Sequence, residues 1–204
     1  MAIKGIVKRY PSFLSRLYVY IRLKLLPLEN IEEVIPKKGL IIDVGCGFGL
    51  SSLYFALNSE ERKIIGLELD RKRVNIARKA CFGLINVFFE VQDFVKDYKM
   101  RNADCIVMID LLHHLPFEIQ EKVMQECFKR LSENGLLIIK DIDKKPFLKY
   151  CWNYIHDKIM TKNGRLYFRK IEDFEKILET IGFKVEKKEL RHLFYPHVLL
   201  VCKK

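Results

Sequence analysis

Residues 40–52 read LIIDVGCGFGLSS, an apolar run closed by Asp43 and followed by glycines at 45, 47 and 49. A strand that passes through such a turn into a helix folds its backbone tightly and leaves amides open to a ligand at the helix N-terminus. The pattern continues on both sides. Leu40 to Val44, Lys63 to Leu69, Val87 to Val91, Cys105 to Ile109 and Leu136 to Lys140 are short, rich in Ile, Val or Leu, and nearly continuous rather than alternating. Strands covered on both faces read that way. Between them, Gly49 to Asn58, Arg71 to Phe82, a short stretch near Phe94 to Lys99, and Pro116 to Ser132 carry charge on one side. Their apolar residues recur at helical spacing, as in Val123, Cys127, Phe128 and Leu131. Strand, helix, strand units with short connections predict an α/β fold, a doubly wound Rossmann-like sheet with right-handed crossovers.

The tail breaks the alternation. Ile171 to Ile181 reads as a helix ended by Gly182, and Phe183 to Leu190 and His197 to Cys202 follow with no helix between them. Two strands joined by a short loop are antiparallel. Residues 143–170 fit no strand and hold the only Trp, Trp152, so a helical insertion on the substrate side is expected there. At the other end, the stretch Phe13 to Leu26 is interrupted by Arg16, Arg22 and Lys24 and is shorter than the roughly 20 residues of a membrane span. No small-residue cleavage site follows it, so it reads as a retained helix. Ten of its fourteen residues are apolar or aromatic. Residues 1–36 are then a lid over a pocket, a dimer contact, or a segment lying at a membrane interface. A single domain over residues 1–204 is expected.

Composition excludes several classes. With 50% apolar and 31% charged residues, the 204-residue chain is neither disordered nor a disulfide scaffold. Its six cysteines never form CxxC and lie mostly in apolar runs, which points to buried thiols in a reducing cytoplasm and to no metal site. The 37 basic and 26 acidic residues leave +11, unevenly placed: residues 1–26 carry six basic side chains and no acid, residues 27–139 carry 15 and 17, residues 140–204 carry 16 and 9. Basic ends form either a solvated surface or a face toward phosphate, an acidic membrane or nucleic acid.

The chemistry sits at strand ends. Glu68 ends KIIGLELD, 21 residues beyond Gly47, where a carboxylate in a doubly wound fold accepts hydrogen bonds from ribose hydroxyls. The glycine spacing is GxGxG rather than GxGxxG, no Lys follows, and Asp43 stands where a pyrophosphate would be repelled. A ligand with cationic groups gains Coulomb energy there instead. S-adenosylmethionine has an ammonium and a sulfonium beside its adenosine.

With these residues the chain resembles the class I S-adenosylmethionine-dependent methyltransferases from about residue 38 to 142, in the branch that acts on small molecules and lipids. The resemblance implies a seven-stranded sheet in the order 3-2-1-4-5-7-6 with strand 7 antiparallel, which agrees with the tail. It also implies S-adenosylmethionine as cofactor. The family's glycine motif corresponds to DVGCGFG, which assigns Asp43, Gly45, Cys46, Gly47 and Gly49 to cofactor binding. Its ribose-binding acid corresponds to Glu68, with Leu69 against adenine and Asp70 capping the next helix. Its adenine-amino acceptor corresponds to Asp93 in FFEVQDF, flanked by Phe94. ADCIVMIDLLHHLP matches the segment lining the methionine and substrate side, placing Asp110, Leu111 and His113 at the mouth. Glu133-Asn134-Gly135 replaces the family's Pro-Gly-Gly before the fifth strand.

Methyl transfer from a sulfonium needs an in-line nucleophile. Holding that geometry supplies roughly 7–11 kcal/mol, and a general base adds roughly 10²–10⁴-fold. No Asn-Pro-Pro-Tyr, Asp-Pro-Pro-Tyr or Pro-Cys follows Asp110, which disfavours a DNA or glutamine methyltransferase. DLLHHLP instead resembles enzymes acting on hydroxyl or carbon nucleophiles. His113 and Asp141 are the expected catalytic residues, with His114, beside Leu115-Pro116, the more structural histidine. Asp143, Tyr154, His156, Arg165, Tyr195 and His197 are further candidates for substrate contact. The expected acceptor is small or amphiphilic, with an anionic one as an option, handled by a cytoplasmic monomer or homodimer, with peripheral membrane contact through the N-terminal helix as a further option. An RNA methyltransferase, whose basic ends would meet phosphates, and a non-catalytic methyltransferase-like binding subunit are the alternatives.

Overall fold

The structure, a computed structural model, describes residues 3–94, 96, 102–142, 165–190 and 197–204. Most of the stretch near Phe94 to Lys99 and of the 143–170 insertion lies outside those residues, as do Asp143, Trp152, Tyr154, His156 and Tyr195. The strands are β1 (Gly39–Val44), β2 (Arg62–Glu68), β3 (Val87–Val91), β4 (Ala103–Ile109), β5 (Leu131–Ile142), β6 (Lys184–Leu190) and β7 (His197–Lys203). They form one seven-stranded sheet in the order β3-β2-β1-β4-β5-β7-β6. The chain falls into two compact units, Met1–Val107 and Met108–Lys204.

In the first unit β1, β2 and β3 pair in parallel, with Asp43 opposite Gly66 and Glu68 opposite Val91. Their side chains are buried almost throughout β1 and β2, as the unbroken apolar runs predict. The N-terminal segment holds three helices, α1 (Ile3–Lys8), α2 (Phe13–Leu25) and α3 (Leu28–Val34), of which α2 is the helix expected over Phe13 to Leu26. Pro11 and Pro27 explain the breaks, since proline disfavours helical backbone in the residue before it. Ser12 then starts α2 with a reciprocal capping box to Ser15. The fully buried Arg62 of β2 holds α3 in place, donating to Pro36 O at 2.7 Å and Ile35 O at 3.3 Å and pairing with Glu32 at 2.8 Å. Two further helices, α4 (Leu50–Asn58) and α5 (Arg71–Ala80), complete the crossovers of this unit.

In the second unit a 3-10 turn (Leu112–His114) leads to α6 (Phe117–Arg130), and α7 (Ile171–Ile181) precedes the hairpin β6–β7. The helix expected to reach Ser132 stops at Arg130. Asn134 adopts a left-handed φ of 61°, and Gly135 lies where a Cβ would meet Ser132 O at 2.9 Å, so the chain turns out of the helix through this tight bend. Pairing with β7 begins at Leu136 and is antiparallel, as is that of β6 with β7. Gly182 closes α7 at φ 118°. All described cysteines are buried and free; burial pushes the Cys81 and Cys127 thiols up to about 12.

Candidate functional site

The glycine turn is built by backbone conformation first. Gly45, Gly47 and Gly49 have φ of 73°, 56° and 73°, which L side chains rarely adopt. A Cβ at Gly49 would lie 2.7 Å from Ala77 Cβ and 2.8 Å from the Phe89 ring, so this glycine lets α5 and β3 approach the turn. A Cβ at Gly47 would meet nothing within 4 Å, which leaves its backbone open to a ligand. The amides of Gly45 and Cys46 donate to Leu67 O at 2.8 and 3.1 Å, clasping the turn to the end of β2. The Cys46 thiol is buried, and burial keeps it well above the usual thiol range.

Glu68 completes that clasp. Its Oε2 accepts from the Gly47 amide at 3.0 Å and its Oε1 from the Asp70 amide at 2.9 Å, while Arg73 stands 4.0 Å from Oε2. Each carboxylate oxygen retains a second acceptor position, enough for sugar hydroxyls. Leu69 beside it is largely exposed, an apolar surface at the strand end. Asp70 caps α5 through Lys72 N at 2.7 Å. The Gln92 amide donates to Glu68 O at 3.0 Å, which brings Asp93 to the same edge; Asp93 pairs with Lys96 at 3.6 Å, and Phe94 is buried. These groups fit an adenosine: open backbone at Gly47, carboxylates at two neighbouring strand ends, and an exposed leucine.

Asp43, assigned to cofactor binding by the resemblance, turns inward. It is buried, and its Oδ2 accepts from the hydroxyls of Ser51 and Ser52, both at 2.6 Å. Burial raises its carboxyl above the ordinary 3.8, opposed by the serine hydrogen bonds and reinforced by Glu68. Both serines lie in the quoted motif, yet their role was not read from it.

In the second unit, Asp110 follows β4 at φ 52°, left-handed backbone for a non-glycine residue. The neighbouring strand holds it there: Asp110 N donates to Lys140 O at 2.9 Å, and the fully buried Lys140 ammonium bonds Asp110 Oδ1. The next residue of β5, Asp141, meets His113, whose Nδ1 lies 2.6 Å from Asp141 Oδ1. A carboxylate accepts, so with Asp141 as acceptor Nδ1 is the donor of this pair. Phe168 stacks on the His113 ring with centroids 4.9 Å apart and planes within 10°, and His114 lies 4.1 Å away. Exposure runs opposite to expectation: His113 is buried and His114 only partly so. His197 is buried at the start of β7, and Arg165 is exposed.

Gln120 was missed. It is fully buried on α6, where its Nε2 donates to Leu112 O, Leu115 O and Tyr167 O at 3.0, 2.9 and 2.8 Å, and its Oε1 accepts from Arg169 Nε at 2.9 Å. Tyr167 N also donates to His113 O at 2.8 Å. Its signal was present: Gln120 shares the helical face of Val123, Met124 and Cys127, an amide among core positions.

A methyltransferase-domain sequence model matches residues 35–195. The chain belongs to that family. This methyltransferase-domain chain is 27% identical over 159 residues to the phosphoethanolamine N-methyltransferase of Plasmodium falciparum, covering 77% of this chain and 57% of that enzyme. It is 24% identical over 176 residues to a carboxy-S-adenosyl-L-methionine synthase of Helicobacter pylori, covering 76% and 72%. The chain thus spans little more than half of the Plasmodium relative. Among solved structures, magnesium protoporphyrin IX methyltransferase of Synechocystis superposes with a TM-score of 0.70 at 20% identity, covering 95% of this chain and 88% of that one. That likeness speaks for the fold.

Proposed function

We propose that this protein transfers the methyl group of S-adenosylmethionine to a small or lipid-like acceptor, at oxygen or carbon as DLLHHLP suggests. The observation that carries the proposal is the clasp in which Glu68 accepts from the Gly47 amide beside open backbone space. When bound, the cofactor supplies an electrophilic methyl on a sulfonium. Glu68 accepts from the ribose hydroxyls, Asp93 from the adenine amino group, and Leu69 and Phe94 border the base. Asp43, held by Ser51 and Ser52, keeps negative potential under the glycine turn for the cationic end. Gly45, Cys46, Gly47 and Gly49 shape the turn. Asp141 orients His113, which accepts the acceptor's proton at Nε2, and Asp110 binds the methionine side of the cofactor.

Titration calorimetry with S-adenosylmethionine tests the cofactor assignment. Glu68→Ala should bind it about tenfold or more weakly; unchanged affinity would overturn the placement of the ribose. Radiolabel transfer to a panel of phenol, quinone, acyl, phosphoethanolamine and RNA acceptors tests the rest. The panel includes a nitrogen acceptor because the Plasmodium relative is named for one. Transfer to RNA alone, falling steeply with salt, would replace the small-molecule reading.

A further inference from the structure

The outer face of α2 is apolar and exposed. At 100° per residue, Tyr20, Phe13, Lys24, Leu17, Ile21 and Leu14 fall within an arc of about 120°. Phe13 and Leu14 are each 76% exposed, and Leu17, Tyr20 and Ile21 are 45%, 48% and 46% exposed. The opposite side carries the buried Ser15 and Val19. That inner side is already committed to the glycine turn. Tyr18 meets the Phe48 ring edge-on at 4.8 Å, and Tyr10, just before α2, donates from its hydroxyl to Phe48 O at 3.2 Å. A lid uses the inner face, so the lid role leaves five large apolar side chains on the outer face in water.

We propose that the outer face of α2 docks on an anionic bilayer surface, with the helix lying in the interface. Charge decides between the occupants of such a face. Lys24 lies within the apolar arc, and residues 1–26 as a whole carry six basic side chains and no acid, although Arg9 and Arg16 are turned to Ala80 O, Phe82 O and Tyr10 O. A two-fold dimer through this helix would bring two basic, acid-free segments together, whereas lipid phosphates complement that charge and acyl chains take the apolar arc. No described helix is long and apolar enough to cross a membrane. The acceptor class proposed above is then met at the surface where amphiphiles reside, next to the turn that Phe48 belongs to.

Vesicle flotation tests the docking without cofactor, so its outcome is separate from that of the methyltransferase reading. The full chain should float with phosphatidylcholine vesicles holding about one-third phosphatidylglycerol, and not with phosphatidylcholine alone. High salt should weaken that binding. The double variant Leu14→Ser, Leu17→Ser should partition about tenfold less or lower while keeping its circular dichroism and its calorimetric affinity for S-adenosylmethionine. No flotation, equal flotation on neutral vesicles, or equal binding by the variant would overturn the proposal. So would a concentration-dependent dimer in sedimentation that the variant abolishes.

Discussion

Two glycines of one turn separate folding from binding. Gly49 combines a left-handed backbone with contacts below 3 Å for any added Cβ, so Gly49→Ala should cost about 3 kcal/mol in denaturant unfolding. Gly47 has the same handedness but open space, so Gly47→Ala should cost only about 1 kcal/mol in stability. Its methyl would stand where the ligand approaches, and calorimetry should show about tenfold or greater loss of S-adenosylmethionine affinity. Asp43 gives a pH signature. Its carboxyl is raised in the folded state by burial, so the folded chain binds that proton more tightly than the unfolded one. The stability it contributes is present below pH 3.8 and is lost as pH rises through the folded value. In melting curves, Asp43→Asn minus wild type should therefore become more positive as pH rises above about 4; a flat difference would contradict a raised carboxyl. The glycines and Glu68 were legible because strand ends and left-handed turns leave residue-type signatures. The direction in which Asp43 turns was not, because the same aspartate serves a cationic ligand or two serine hydroxyls, and only packing chooses.

The strands were legible as elements because a sheet covered on both faces demands unbroken apolar runs, and their bounds agree to within a few residues. At the N-terminus the helix expected over Phe13 to Leu26 is α2, whereas the short helices α1 and α3 on the far sides of Pro11 and Pro27 were not legible. Nor does periodicity reveal a polar clamp. Gln120 ties the turn Leu112–His114, the start of α6 and residues 167–169 to one amide, and thereby seats Phe168 on His113. Gln120→Leu removes the amide partner of the Leu115 and Tyr167 carbonyls and of Arg169 Nε, while Leu112 O keeps the Leu115 amide, at a cost of about 2–4 kcal/mol in unfolding. It should also lower methyl transfer about tenfold or more without altering cofactor affinity, because every contact it breaks lies in Met108–Lys204. Unchanged turnover in a folded variant would remove the clamp from the catalytic geometry. Lys140 performs a similar service across two strands, holding Asp110 in its left-handed conformation.

For the whole molecule, the antiparallel β6–β7 pair was legible in the tail, where two strands lie without a helix between them, whereas the order of the sheet was implied by the family resemblance. Net charge was less informative: +11 suits phosphate, lipid or water equally until the structure shows which face is apolar. The division of labour along the chain can be tested by linkage. The groups assigned to the cofactor's sugar and base, Glu68, Leu69, Asp93 and Phe94, lie with the glycine turn in Met1–Val107, whereas Asp110, His113 and Asp141 lie in Met108–Lys204. A ligand at a hundredfold its Kd stabilises the folded state by about 2.7 kcal/mol, and a chain of this size gains about 2–4 °C per kcal/mol. S-adenosylmethionine should therefore raise Tm by about 5–10 °C, NADH should not, and Glu68→Ala should lose most of that rise at the same concentration. His113→Ala, although its own Tm falls through the cavity it leaves, should keep the full ligand-induced rise while methyl transfer drops about 10²–10⁴-fold. If the His113 variant lost the rise instead, the imidazole would belong to the cofactor's site, and the base would have to be sought at the less buried His114.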